Sequence, residues 1–450
     1  MSTTSTEGVI IDTKTPKSII ENRAVGSLVG AACGDALGAP FEFLHWSEIP
    51  DEIEMSGGGL LNWERGEWTD DTSMVIPIVR IAARGDDLID CLPELVGEWR
   101  KWLSQGPKDV GIQTRSILSS LSSDSPEEAW RESKDYFERT GRAAGNGALM
   151  RTAPVALAYL DNPKRMAEAA KLIAQLTHWE ADAWEACVLW CEATRRAVLT
   201  GNFLPHAGLS LLPESSREKW DERISNAMTS SPRVFPQNGW TVHAFQAAIA
   251  SINTTQTAPG AIEAAVKAGG DTDTVAAITG ALAGALQGVQ SLPMAWKSKV
   301  HGWPNVGYRE LMTYAVLAVN SGVPHSSNGW PLSRRVNPPR KVVMYQHPQD
   351  EGIWLGNLAA LDDMDLPEKV DVALALCRIG TSQTSSGIPL EEVWFVDNPA
   401  ENLDLEAMLE DVAQYVLALR RGGKRVFVFC YAAESRTPAV AESITAAIQN

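Results

Sequence analysis

The stretch AGGDTDTVAAITGALAGALQG, residues 268–288, decides how this chain is read. Its second half is a helix of Ala, Leu, Ile and Gly. Its first half sets Asp271, Thr272, Asp273 and Thr274 in consecutive positions at the helix start. A helix start needs one capping side chain, not four oxygen donors. Outward from this point, residues from about 20 to 322 read as one helix after another. NRAVGSLVGAACGDALG (22–38), DTSMVIPIVRIAARG (71–85), PKRMAEAAKLIAQLTH (163–178), ADAWEACVLWCEATRRAVL (181–199), GWTVHAFQAAIASI (239–252) and GAIEAAVKAGG (260–270) all carry helical apolar spacing. No convincing long strand interrupts them. The density of Gly and Ala implies that helices approach one another closely.

A break follows. GVPHSSNGWPLSRRVNPPR, residues 322–340, holds four prolines and clustered arginines, the composition of a linker. Beyond it KVVMY, GIWLGN, VDVALALCRIG, VWFVDN and RVFVFC read as short, mostly buried strands. DLEAMLEDVAQYVLALRRGG reads as an amphipathic helix with a basic end and Gly stops. The expected organisation is a Thr- and Ser-rich disordered tail over 1–20, an all-helical domain over 21–322, a linker over 323–340 and a small α/β domain over 341–450.

The 450 residues carry a net charge of −17, which argues against nucleic acid as a partner because phosphates would be repelled. From Lys341 onward 8 Lys or Arg face 17 Asp or Glu, so the second domain is acidic too. No run reaches about 18 uninterrupted apolar residues, and the N-terminal stretch lacks the apolar core of a signal peptide. No membrane partner is expected. The six cysteines are scattered, which suits free thiols in a reducing, cytoplasmic setting. Cys187 and Cys191, one helical turn apart with no further ligands nearby, read as core packing.

The opening cluster has a counterpart. EWTDDTSMVIPIVR places Thr69, Asp70, Asp71 and Thr72 before another apolar helix. Capping accounts for either cluster alone, since Asp and Thr are good N-caps and acids suit the positive end of the helix dipole. Two together form a hard oxygen-donor set without His or Cys, the set that Mg²⁺ or Mn²⁺ prefers. A third acidic stretch, GDALGAPFEF, adds Asp35 and Glu42. If the clusters meet in space, the residues describe a dinuclear metal hydrolase.

GSLVGAACGDALGAPFE, WTDDTSM, GNGALMRTAPVAL, THWEADAWEAC and GGDTDTVAAITGALAGALQG occur in the order seen in the ADP-ribosylglycohydrolase family, which this chain resembles over about residues 22–320. The resemblance implies an all-helical domain with two divalent cations, Mg²⁺ or Mn²⁺, in a central cleft. It implies Thr69, Asp70 and Asp71 as one half of the metal site and Asp271, Asp273 and Thr274 as the other, with Thr272 left to capping or packing. It implies hydrolysis of the bond between ADP-ribose and an acceptor, so that ADP-ribosylated proteins or small ADP-ribosyl compounds are the partners. Glu42, Asp71, Asp109 and Asp271 take catalytic roles in this reading. Asp109 otherwise caps the helix of GIQTRSILSSL. Gly145, Asn146 and Gly147 would wrap the ribose and diphosphate, with His178 beside the cleft. Asp35 reads as an internal hydrogen-bonding residue rather than a ligand.

RVFVFCYAAESRTPAVAESI, residues 425–444, runs strand, turn, helix, with Cys430 and Arg436 separated by five residues. This is similar to the dual-specificity protein phosphatases, in which backbone N–H groups and the arginine grip an anion while the cysteine thiolate attacks phosphorus. Ser435 would help the thiolate leave and Asp397 would act as the general acid. The chain departs from that pattern with Phe429 where a His is usual, Ala433 where a Gly is usual, and Glu434 inside the loop. A phosphatase or phospho-ligand binder working through Cys430 and Arg436 is therefore the alternative to the glycohydrolase reading. A phosphatase-shaped module without turnover also stands at this level. Cys377 reads as a core thiol.

Overall fold

The computed structural model describes residues 15–363, 365–383 and 387–449. Two long helices, Lys17–Gly38 and Thr272–Gln287, form the axis of the first part of the molecule. Gly26, Gly30, Gly34 and Gly38 recur every four residues and so share one face of the first helix. A Cβ built on Gly26 would lie 2.2 Å from the carbonyl oxygen of Gly284, and one on Gly30 would lie 2.2 Å from that of Gly280. On Gly34 it would lie 2.1 Å from the oxygen of Ala276. Built in return on Gly280 and Gly284, it would lie 2.0 Å and 1.9 Å from the oxygens of Gly30 and Gly26. The two helices thus touch backbone to backbone and run antiparallel, which only glycine permits. The expected close approach is found here.

The first helix is long and apolar enough to cross a membrane by composition, yet 89% of its apolar window is buried by the protein's own helices. It begins at Lys17, four residues inside the stretch expected to be a disordered tail. Ile19 and Ile20 are half-buried, Ser18 donates to Glu401, and Thr15 Oγ1 donates to the Leu199 carbonyl, so this end is held down. The rest of that expectation falls on residues 1–14, outside the described residues. Around the central pair pack Asp70–Ala83, Pro163–Gln175, Ala181–Thr200, Thr241–Asn253, Ala258–Val266 and Tyr308–Val319. The strands here are the two-residue pair β1 (His301–Gly302) and β2 (Val306–Gly307).

The second part is a five-stranded sheet with helices. Its strands are β3 (Met344–His347), β4 (Asp350–Asn357), β5 (Val372–Ala375), β6 (Leu390–Glu392) and β7 (Val426–Cys430), in the order β3-β4-β7-β5-β6. Only β3 runs antiparallel to its neighbour. The central β7, VFVFC, is buried at every residue, as a parallel strand covered on both faces must be. Helices Leu405–Arg421 and Arg436–Gln449 pack together with it. One strand lies elsewhere than expected. Leu390–Glu392 pairs with β5, whereas VWFVDN leaves the sheet after Val393. The Trp394 carbonyl is taken by Gln290 Nε2, that of Phe395 by Arg436 Nη1, and the Val396 N–H by Asn402 Oδ1. Side chains satisfy these backbone groups in place of a ladder partner.

The proline-rich segment read as a linker is docked along its length. Trp330 is buried against Trp394, His325 pairs with Glu21 at 2.8 Å, and the Ser333 and Arg334 carbonyls accept from Thr381 and Ser382. Arg378 lies between the Trp394 and Trp330 rings, 3.7 Å and 4.4 Å from their centroids. At the far end of the Thr272–Gln287 helix, the buried Gln290 accepts from Asn22 and Leu403 and donates to Asn402 and Trp394. The two parts share a continuous interior through these contacts.

Candidate metal centre and active-site cleft

The glycine ladder runs antiparallel, so it delivers the C-terminal end of the first helix to the N-terminal end of Thr272–Gln287. Gly38 meets Asp273 there: its Cβ would lie 2.5 Å from Asp273 Cα. Thr272 Oγ1 donates to the Gly38 carbonyl, which is the packing role left to it. The start of a third helix, Asp70–Ala83, is tied in by Asp35. One oxygen of that carboxylate accepts the Thr69 N–H at 2.9 Å, and the other accepts the Thr72 N–H and Oγ1–H at 2.9 and 2.6 Å. Thr69 is the N-cap. Its Oγ1 accepts from the Asp71 N–H and donates to Asp71 Oδ2, both at 3.3 Å.

The two Asp/Thr clusters, some two hundred residues apart, therefore meet. Asp35, Asp71 and Asp273 can bring one carboxylate oxygen each to within 4.8 Å of one another, and so can Glu42, Asp271 and Asp273. Asp273 belongs to both sets. Asp71 Oδ1 is buried with no hydrogen-bond partner. Burial and mutual repulsion hold Asp71 and Asp273 well above the usual carboxylate range. Burial pushes Asp35 to about 6; burial with the charge of Asp109 pushes Asp70 to about 7 and the half-buried Glu42 to about 8. Asp109 and Asp271 are raised for the same first reason. A buried set of like charges is unstable by itself, and hard divalent cations are the partners that oxygen-only donors suit. The orphaned Asp71 oxygen and the doubled carboxylate set fit such ions.

Other expected residues line a cleft of about 360 Å³ above this base. Glu42 is placed by a short backbone exchange: the Phe43 N–H donates to the Gly270 carbonyl at 2.7 Å, and the Gly270 N–H donates to that of Leu44 at 2.9 Å. Gly270 has φ +76 and its missing Cβ leaves room for Asn238 Oδ1, which accepts the Asp271 N–H at 3.0 Å. Asn146 Nδ2 donates to Asp271 Oδ2 at 2.8 Å, so this residue positions a carboxylate. Gly145 and Gly147 lie over His178, where a Cβ would come within 3.3 and 3.1 Å of the ring. His178 is fully buried against Thr177 and is held neutral by burial and by Arg151. Thr274 lines the cleft.

One placement differs in detail from the sequence reading, and one alternative within it falls. Asp70 stands outside both three-carboxylate sets, and its Oδ2 accepts the Gly111 N–H at 3.2 Å. Asp109 does not cap the helix Ile112–Ser120, which has Gly111 as its N-cap, and its side chain lines the cleft instead. Asp35, set aside as a ligand, does the internal bonding expected of it and also reaches the first carboxylate set. Asn238 supports this loop, and a lone Asn in a turn carries no sequence signal for that role.

The family model described as ADP-ribosylglycohydrolase matches residues 16–323. The chain belongs to the ADP-ribosylglycohydrolase family. It is 31% identical over 294 residues to the ADP-ribosyl-[dinitrogen reductase] glycohydrolase of Rhodospirillum rubrum, covering 62% of this chain and 91% of that one. It is 28% identical over 303 residues to the ADP-ribosylarginine hydrolase Tri1 of Serratia proteamaculans, covering 63% and 77%. To the ADP-ribosylhydrolase ARH3 of Mus musculus it is 24% identical over 331 residues, covering 63% and 88%. A solved structure titled as an ADP-ribosylglycohydrolase-related protein complex superposes with a TM-score of 0.53 at 27% identity, over 68% of this chain and 99% of that one. The chain is thus a glycohydrolase-family enzyme, and the matched region ends where the last helix, Tyr308–Val319, gives way to the docked segment.

The Cys430 loop lies outside that match. Cys430 ends β7, and its thiol is lowered from its ordinary value: burial opposes this, and hydrogen bonds from Thr437 and Ala433 with the charge of Arg436 outweigh it. The Ala433 N–H points at Sγ from 3.2 Å, with Ala433 at φ +63 in the position where Gly was expected. Arg436 donates to the Phe395 carbonyl and faces Asp397 at 3.1 Å, and Ser435 donates to Asp397 at 2.9 Å. Arg436 and Ser435 are thus both engaged by Asp397. Cys377, Cys187 and Cys191 are buried thiols.

Proposed function

We propose that this protein hydrolyses the glycosidic bond between ADP-ribose and an acceptor side chain, with two divalent cations, Mg²⁺ or Mn²⁺, held by Thr69, Asp70, Asp71, Asp271, Asp273 and Thr274. The observation that carries this reading is the meeting of two carboxylate sets, sharing Asp273, at the base of a cleft. When bound, such cations polarise ribose hydroxyls and lower the pKa of water. The chain's own residues supply the rest. Cleavage passes through an oxocarbenium-like state, which nearby negative charge stabilises. Asp109 faces the cleft in position to do so. Glu42 lines the cleft beside Asp271 and Asp273, which suits a group that takes the proton of the attacking water. Asn146 holds Asp271, and the Gly145–Gly147 turn offers open backbone to the ribose and diphosphate. ADP-ribosylated proteins or small ADP-ribosyl compounds are the substrates.

The test is release of ADP-ribose from arginine- and serine-linked ADP-ribosyl substrates with Mg²⁺ or Mn²⁺, repeated with chelator. Chelator-sensitive release that disappears in Asp273→Ala and persists in Cys430→Ser supports the reading. If p-nitrophenyl phosphate alone is cleaved and Cys430→Ser abolishes that cleavage, the reading fails.

The second reading concerns residues 341–450. The lowered Cys430 thiol at the end of a central parallel strand, followed by a loop and a helix, favours a phosphatase-like module. The engagement of Arg436 and Ser435 by Asp397 favours a module that does not turn over in this state. The chain then reads as a glycohydrolase domain over 21–322 and this module, joined through 323–340.

A further inference from the structure

Behind the Gly145–Gly147 turn stands a fully buried arginine that the chemistry of the cleft does not use. Arg151 Nη2 donates to Thr177 Oγ1 at 2.6 Å, and Nη1 points at Met74 Sδ from 3.4 Å. Its guanidinium carbon lies 4.1 Å from the Trp99 ring centroid, and Nε has no hydrogen-bond partner. None of these partners carries a charge. Taking a cation out of water with no carboxylate beside it is costly, so the position calls for a reason. Thr177 Oγ1 lies in turn 2.8 Å from Nδ1 of His178, and both side chains are buried. The other ring nitrogen lies under the turn that walls the cleft: a Cβ on either Gly145 or Gly147 would come within 3.3 Å of Nε2.

Counting donors and acceptors fixes the protons along this line. A guanidinium has no acceptor, so Thr177 Oγ1 accepts from Arg151. Burial lowers Arg151 to about 9, which leaves it charged at neutral pH. The Thr177 hydroxyl has one proton of its own, and Nδ1 is the acceptor in reach. Were Nδ1 protonated, that hydroxyl proton would be buried with nothing to accept it. Burial and the charge of Arg151 keep the imidazole neutral. Its one proton then sits on Nε2.

We propose that Arg151, acting through Thr177, is a positioning residue that fixes His178 as the Nε2–H tautomer, a neutral donor for an anionic oxygen of the ligand in the cleft. The proton assignment stands on the geometry alone. The ligand rests on the glycohydrolase reading, in which this turn meets the diphosphate of ADP-ribose. The opposite tautomer would turn a lone pair toward that oxygen and repel it.

The experiment reads the ring nitrogens of His178 by long-range ¹⁵N–¹H correlation NMR near neutral pH on the full chain labelled at histidine. The signal is assigned among the seven histidines by its loss in His178→Gln. Wild type and Thr177→Ser are expected to show a bare Nδ1 and a protonated Nε2. Thr177→Val lacks the hydroxyl, and Arg151→Met frees the Thr177 oxygen to accept from Nδ1–H, so each is expected to show a mixture of both tautomers. The Kd for ADP-ribose with Mg²⁺, by calorimetry, should rise about tenfold in Thr177→Val, the worth of one hydrogen bond to a charged oxygen, and stay within about twofold in Thr177→Ser. A proton on Nδ1 in wild type, or a charged ring there, would overturn the proposal. So would an unchanged Nε2–H pattern in either Thr177→Val or Arg151→Met, and if one of the two fails to fold the other decides. If wild type does not bind ADP-ribose, the ligand assignment falls with the glycohydrolase reading, while the spectra still decide for or against the fixed tautomer.

Discussion

Gly30→Ala tests the backbone contact on which the carboxylate cluster is built. In an ordinary helix interior this change stabilises by about 1 kcal/mol, because Gly is the poorer helix former. Here the added carbon would lie 2.2 Å from the Gly280 oxygen and 3.0 Å from its carbonyl carbon, where ordinary contact begins at 3.4 Å. The obstacle is backbone, so no side chain can rotate aside, and the helices must part by roughly 1 Å or bend. Overpacking of this kind costs about 1–3 kcal/mol, and the lost contact along the pair adds to it. The net expectation is a destabilisation of about 2 kcal/mol, or a Tm lower by about 3 °C for a helical part of about 300 residues. Thermal unfolding by circular dichroism reads it. Gly97→Ala is the comparison, since a Cβ there meets only the Asp124 carboxylate, at 3.0 Å, which can move. Its Tm should stay or rise. A Tm for Gly30→Ala equal to or above wild type would refute the argument, because propensity alone would then have decided the outcome.

Asp71→Asn and Asp273→Asn should each lower ADP-ribose release by at least about 100-fold and abolish the Tm increase on adding Mg²⁺, while raising Tm in chelator, because each removes a buried charge that repels its neighbours. The metal-free protein should lose stability as pH rises from about 4 to about 8. Asp70 and Glu42 titrate near 7 and 8 in the fold, above their ordinary 3.8 and 4.5, so the folded state binds more protons across that window. Saturating Mg²⁺ should flatten this slope in Tm measured against pH. Asn146→Ala removes the 2.8 Å donor to Asp271 and should lower kcat about tenfold with KM little changed, read by steady-state kinetics.

The parts of this molecule legible in its sequence are those with local causes. Thr69 before Asp70 and Asp71 announces a helix start because capping is a local act, and the structure shows that cap. The Gly and Ala density of these helices is a local feature too, and it implies close approach without naming the partner helix. The parts that were not legible depend on distant backbone groups. Asp35 looks like one acid in a Gly/Ala helix, yet its two oxygens hold the start of a helix 34 to 37 residues away. Val393–Val396 has a strand's composition, but Gln290, Arg436 and Asn402 claim its backbone. The tryptophans at 63, 68, 102 and 303 are spread over the chain, and only the fold gathers them.

The seam at Gln290 bears on how this molecule can be divided. The family match stops at residue 323, which invites expression of that portion alone. Such a fragment would lose Asn402, Leu403 and Trp394 from around Gln290, and Asp411 from the backbone of Met294. It would also bare Met294, whose side chain belongs to the interior of the sheet-bearing part. A shortened protein made that way exposes a sticky scar one helix-length from the clustered carboxylates, so poor behaviour in solution would report the cut and not the chemistry.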